Sequence, residues 1–118
     1  MSITYANGMT FDDVEIRHLK ALRAVAEEGS FVGAADILGF SQAAISQQIA
    51  GLERAVGDRV FDRPGGPKRV ELTPTGVLLL DYATSVFEQL RITEDGLRSL
   101  RAGEVGRLVV GSFQSVSV

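Results

Sequence analysis

From Ser41 to Leu52 the chain reads Ser-Gln-Ala-Ala-Ile-Ser-Gln-Gln-Ile-Ala-Gly-Leu, without one charged residue. At about 100° per residue, Ile45, Ile49, Leu52 and Val56 fall on one narrow stripe of a helix. Ala43, Ser46, Gln47, Ala50 and Arg54 fall on the opposite side, with Gln42 in the first turn. A helix face that only meets water is usually rich in Lys and Glu, whereas this one combines small residues with uncharged hydrogen-bonding ones. Such a face suits the edges of base pairs in a major groove. Alanines let the backbone approach and touch thymine methyls, and a glutamine can address adenine at two atoms. Gln42, Ala43, Ser46 and Gln47 are therefore candidate base-reading residues. Ser41 and the free amides of the first turn can hold a phosphate. Any single Gln or Ser is explained as well by exposure to water; the absence of charge from Ser41 to Leu52 favours a contact surface.

Other chemistries find little support. There is no cysteine, which excludes disulfides, thiolate metal sites and a cysteine nucleophile, and which fits a reducing cytoplasm. His18, the only histidine, has no second ligand type nearby and is expected to be an ordinary helix-face residue. The carboxylates are scattered, so no catalytic constellation, metal or cofactor is expected, and the chain is not read as an enzyme. The formal net charge of −3 does not by itself suggest a polyanionic partner. Its distribution does, mildly: the stretch from Arg54 to Arg69 holds Arg54, Arg59, Arg63, Lys68 and Arg69 against Asp58 and Asp62. Arg54, Arg63, Lys68 and Arg69, with Ser30 and Ser41, are candidate phosphate contacts. Solvated turn residues and, for Ser30, a plain helix cap remain alternatives.

The elements that would position these residues follow from the punctuation. Residues 1–13 are polar and aperiodic at their start and are expected to be a flexible arm. From about Val14, the spacing of Ile16, Leu19, Leu22 and Val25/Ala26 predicts a helix ending at Gly29. Ser30 can cap a short second helix, with Phe31, Ala34, Ala35, Ile37 and Leu38 as its apolar residues. Gly39 ends it, and Phe40 is expected to pack back across the turn. Ser41 caps the third helix, about Gln42 to Val56, which Gly57 stops. Arg59–Arg63 and Arg69–Thr73 flank a Pro/Gly loop and predict a β-hairpin. The fold class is mainly α: a winged helix-turn-helix of three helices and a two-stranded wing over residues 14–73.

Thr73-Pro74 opens a fourth helix over about residues 74–102. Leu79, Ala83, Val86, Leu90, Thr93, Leu97 and Leu100 recur at alternating steps of four and three, the seam of a coiled coil. The stripe fits either a domain core or a partner helix. Its length favours a partner, so Leu79, Ala83, Val86, Leu90, Leu97 and Leu100 are expected to dimerise the chain. Arg107–Gly111 has the pattern of a strand without a partner. Residues 103–118 are thus expected to begin a truncated further domain. No run is long and apolar enough to span a bilayer, and no signal peptide is evident, so a cytoplasmic protein is expected.

Glu28-Gly29-Ser30-Phe31, Ala34-Ala35, Leu38, the run Ser41 to Ile49, Leu52-Glu53, Gly57, Val60-Phe61-Asp62-Arg63 and Leu72-Thr73-Pro74-Thr75-Gly76 together resemble the N-terminal domain of LysR-type transcriptional regulators. The resemblance runs from about Ile16 to Gly111. It implies sequence-specific DNA binding as a dimer, with antiparallel linker helices and often a tetramer in the complete protein. It also implies an interrupted inverted repeat at promoters as target, and a small-molecule effector bound by a two-lobed domain after the linker. By position, Gln42, Ala43, Ser46 and Gln47 correspond to the family's base readers, Arg63 lies in its wing, and Ser115 lies where the family often touches its effector. The chain departs from the family pattern at Ala43, usually proline, and at Gln47, often arginine. A winged-helix dimerisation or protein-interaction module without DNA stands as the alternative function.

Overall fold

The computed structural model describes residues 10–62 and 69–106. The chain divides into two compact units, Met1–Ala83 and Thr84–Val118. The first contains α1 (Ile16–Glu28), α2 (Phe31–Leu38), α3 (Gln42–Val56) and an antiparallel pair, β1 (Phe61–Asp62) and β2 (Glu71–Leu72). A long helix, α4 (Pro74–Gly106), begins in this unit and continues into the second. The expected winged helix-turn-helix followed by a long helix is the architecture found.

The boundaries are local. Gly29, Gly39 and Gly57 follow α1, α2 and α3 in the left-handed conformation, with φ of 74°, 73° and 78°. A side chain is disfavoured there, so each glycine ends its helix where the next element must depart in a new direction. Ser30 accepts from the Gly33 amide at 2.9 Å, and Ser41 from the Ala44 amide at 3.0 Å, which satisfies an otherwise orphaned donor at each new N-terminus.

The core lies between the helices and the hairpin. Leu22 and Val25 of α1, Ala34 and Ala35 of α2, Ile45, Ile49 and Leu52 of α3, and Val60, Phe61 and Leu79 pack as one buried cluster. Phe31 meets Phe61 edge-on, with ring centroids 6.2 Å apart. The hairpin register pairs Phe61 with Leu72 and Asp62 with Glu71.

Several expectations need correction. The arm does not extend to Asp13: Phe11–Asp13 is a 3-10 turn closed by a capping box, with the Thr10 amide donating to Asp13 Oδ2 at 2.8 Å. Phe11 packs edge-on against Tyr82, with centroids 5.3 Å apart, so aromatic burial anchors this segment. Leu79 and Ala83 are 5% and 0% exposed within their own chain, so they are core residues and not available to a partner helix. Ile37 and Phe40 are 64% and 57% exposed; the Phe40 amide bonds to the Ala35 carbonyl, which directs the backbone round the turn and leaves the ring outside. The last helix passes through Gly103 to Gly106, since an interior glycine costs only about 1 kcal/mol. Residues 1–9 of the arm, the hairpin tip with Arg63 and Lys68, the strand expected at Arg107–Gly111, and Ser115 lie outside the described residues.

Candidate nucleic-acid interface

The two sides of α3 have opposite fates. Ile45, Ile49, Leu52 and Ala55 are fully buried. Gln42, Ala43, Ser46 and Gln47 are all exposed, and Arg54 is exposed toward the C-terminal end of the same helix. The four candidate readers thus share one open face, bounded at its start by the Ser41 cap and the first-turn amides. Gln48 departs from its glutamine neighbours: its Oε1 is buried and finds no hydrogen-bond partner among the described residues.

What holds α3 in place is partly a histidine. His18 is only 7% exposed and lies against Gly51, where an added Cβ would come within 2.9 Å of its Nε2. Its Nδ1 accepts the Glu15 amide at 2.9 Å, which requires an unprotonated nitrogen there and supplies a cap to α1. Burial lowers the pKa of His18; Glu15 opposes that shift, and Arg17 and Arg54 add to it. The helix-face residue expected at His18 is therefore a structural one, packed between α1 and α3. Its place three residues after the cap was the available signal.

The approach from α3 to the hairpin is fastened by polar groups. The Val60 amide donates to Glu53 Oε2 at 2.9 Å. Asp58 accepts the Thr75 hydroxyl at 2.6 Å and the Arg59 amide at 2.7 Å, which holds its carboxyl below the usual range. The Thr73 hydroxyl donates to the Arg59 carbonyl at 2.6 Å and accepts the Gly76 amide at 3.0 Å. The first turn of α4 is thereby joined to the base of β1. The Thr73 bond to the Gly76 amide is the helix start expected at Thr73-Pro74; the Glu53–Val60, Asp58–Thr75 and Thr73–Arg59 pairs follow no short-range periodicity, so nothing in the sequence pattern marked them.

Of the candidate phosphate contacts, Ser30 and Ser41 both use their hydroxyls as caps. Arg69 turns back from β2 toward the α1–α2 turn, where its Nη1 donates to the Glu28 carbonyl at 3.4 Å. On α4, Val86 is half-buried, while Leu90, Leu97 and Leu100 are 46%, 50% and 36% exposed. Among the described residues no helix is long and apolar enough to cross a membrane, and no group of three His, Cys, Asp or Glu side chains is placed to hold a metal ion.

Three helices, a two-stranded wing and an open, uncharged third-helix face define a winged helix-turn-helix protein. Residues 16–77 match the family described as "Bacterial regulatory helix-turn-helix protein, lysR family". The chain belongs to that family. It is 40% identical over 97 residues to the "Probable RuBisCO transcriptional regulator" of Trichormus variabilis, covering 82% of this chain and 28% of that protein. The chain thus spans little more than a quarter of that relative's length. Its fold matches the BenM DNA-binding domain in a structure titled as a complex with catB site 1 DNA, with a TM-score of 0.70 and 34% identity, over 75% of this chain and 97% of that one. The CbnR DNA-binding domain, in a structure titled as a DNA complex, matches with a TM-score of 0.67 and 33% identity, over 74% of this chain and 98% of that one.

Proposed function

We propose that this chain is the sequence-specific, double-stranded-DNA-binding part of a transcription regulator. The observation that carries this reading is the exposed, charge-free face of α3, on which Gln42, Ala43, Ser46 and Gln47 stand together. It is supported by the DNA complexes of the BenM and CbnR domains, which are similar in fold and sequence. Gln42 and Gln47 would read base edges, Ala43 and Ser46 would permit close approach, and Arg54 with the wing cations Arg63 and Lys68 would meet phosphates.

The protein would act as a homodimer through the outer part of α4, with Val86, Leu90, Leu97 and Leu100 on the shared seam. Two reading helices would then enter successive major grooves of an interrupted inverted repeat. A tetramer, a small-molecule effector and an effector contact at Ser115 belong to the complete regulator. Cytoplasmic residence follows from a DNA target.

The test is to sequence the fragments this chain retains from random duplex DNA, and then to titrate salt against the motif obtained. A two-fold-related motif is expected, with affinity that falls steeply as salt rises. Retention of no motif, or salt-independent binding, would leave a protein-interaction module instead.

A further inference from the structure

Arg69 stands in β-hairpin sequence and has the charge of a phosphate ligand, yet its side chain is already in use. Its guanidinium lies flat on Gly29: a Cβ built at residue 29 would collide with Arg69 Cζ and stand 2.7 Å from Nε. Its Nη1 donates to the Glu28 carbonyl, and the next residue, Val70, donates its amide to the Gly29 carbonyl at 3.1 Å. Two consecutive residues before β2 are thus fastened to two consecutive residues at the end of α1. The site suits a guanidinium for two reasons. The C-terminal carbonyls of a helix carry partial negative charge, and a planar fork can lie against a bare glycine where an ammonium on a flexible stem cannot. Gly29 also has φ of 74°, so the residue that leaves room for Arg69 is the one that the turn itself requires.

Ser30, the cap of α2, follows Gly29 directly. We infer that Arg69 is a positioning residue, which clamps the returning strand of the wing to the α1–α2 turn and so sets the spacing between the wing and the N-terminus of α2. This rests on the DNA-binding function proposed above, in which the wing cations Arg63 and Lys68 would meet phosphates beside the reading helix. It replaces the direct phosphate contact expected for Arg69 from the sequence.

The experiment compares the 118-residue chain with its Arg69→Ala and Arg69→Lys variants in two measurements. One is hydrogen exchange of the Val70 amide; the other is affinity for the selected duplex across a range of salt. In both variants the Val70 amide should exchange roughly five- to tenfold faster, and DNA affinity should fall by a similar factor, the size expected from losing one charge-assisted hydrogen bond. The slope of log affinity against log salt should stay at its original value, because no phosphate contact is removed. A slope reduced by about 0.9 in Arg69→Ala, or full binding by Arg69→Lys, would identify a phosphate ligand and overturn the inference. So would an unchanged Val70 amide in Arg69→Ala. If the unmodified chain bound no duplex at all, the DNA-binding function would fall, while the amide rates would still decide whether Arg69 holds the strand. Gly29→Ala, which keeps every charge, should speed Val70 exchange as Arg69→Ala does wherever it folds.

Discussion

Over three turns α3 places Ile45, Ile49 and Leu52 at zero exposure and turns an uncharged face outward. Beyond Thr84, α4 has no described side chain that is buried. The two stretches are held helical by different means. In α3 the apolar stripe is met by the domain's own core, while Gln42, Ala43, Ser46 and Gln47 face outward. In the outer part of α4 the polar side chains pair along the helix: Arg91 with Glu88 at 2.6 Å and Asp95 at 3.1 Å, Arg98 with Asp95 at 3.1 Å and Glu94 at 3.4 Å. Leu90, Ile92, Leu97 and Leu100 remain open to water. Most helical stability in proteins comes from packing an apolar face rather than from helix propensity. The difference separates two surfaces: an uncharged polar one backed by a closed core, and one whose leucines lie open to water.

The comparison can be broken at its buried end first. Leu52→Ala should lower unfolding stability by about 2–5 kcal/mol, measured by denaturant titration, because it empties volume in a core that cannot fully collapse. The paired change Leu90→Ala with Leu97→Ala should leave the fold of the first unit intact. It should weaken self-association by about 3 kcal/mol in sedimentation equilibrium, from the apolar area no longer covered. A monomer-to-dimer constant unchanged by it would mean that this face of α4 meets no second copy.

On the open face of α3, Gln47→Ala should cost about 1–3 kcal/mol of binding to the selected motif and relax preference at one base position, with thermal stability unaltered. An unaltered footprint would place the reading surface elsewhere. The smallest effect concerns pH. His18 has a lowered pKa in the folded chain, so between that value and its ordinary one near 6.5 the unfolded chain binds the extra proton. Its contribution to stability is therefore complete above about pH 6.5 and is lost as pH falls through the folded value. His18→Gln should flatten melting temperature against pH over that range; an equally steep curve would remove His18 as the source.

Much of the domain was legible because its signals are local. Gly29 with Ser30, Gly39 with Ser41, and Gly57 are each read within a few residues, and each sits at the helix boundary it predicts. The exposure of Gln42, Ala43, Ser46 and Gln47 follows from the same periodicity that buries Ile45 and Ile49. Periodicity tells which residues share a side, however, and not what that side meets. Leu79 and Ala83 continue the stripe of Leu90 and Leu97 without a break in spacing, yet they face the domain's own core. The Asp58–Thr75 pair, the seat of His18 against Gly51 and the return of Arg69 to Gly29 join residues far apart in the chain, so no window of sequence contains them.

The glycine that closes each helix in the first unit also bears on how the protein is made. Short helices joined by tight turns bring together residues close in sequence, and topologies of this kind fold in microseconds to milliseconds. A ribosome adds about 5–20 residues per second. The bundle of α1, α2 and α3 can therefore begin to assemble while α4 is still being translated, and its core closes only when Val60, Phe61 and Leu79 reach it.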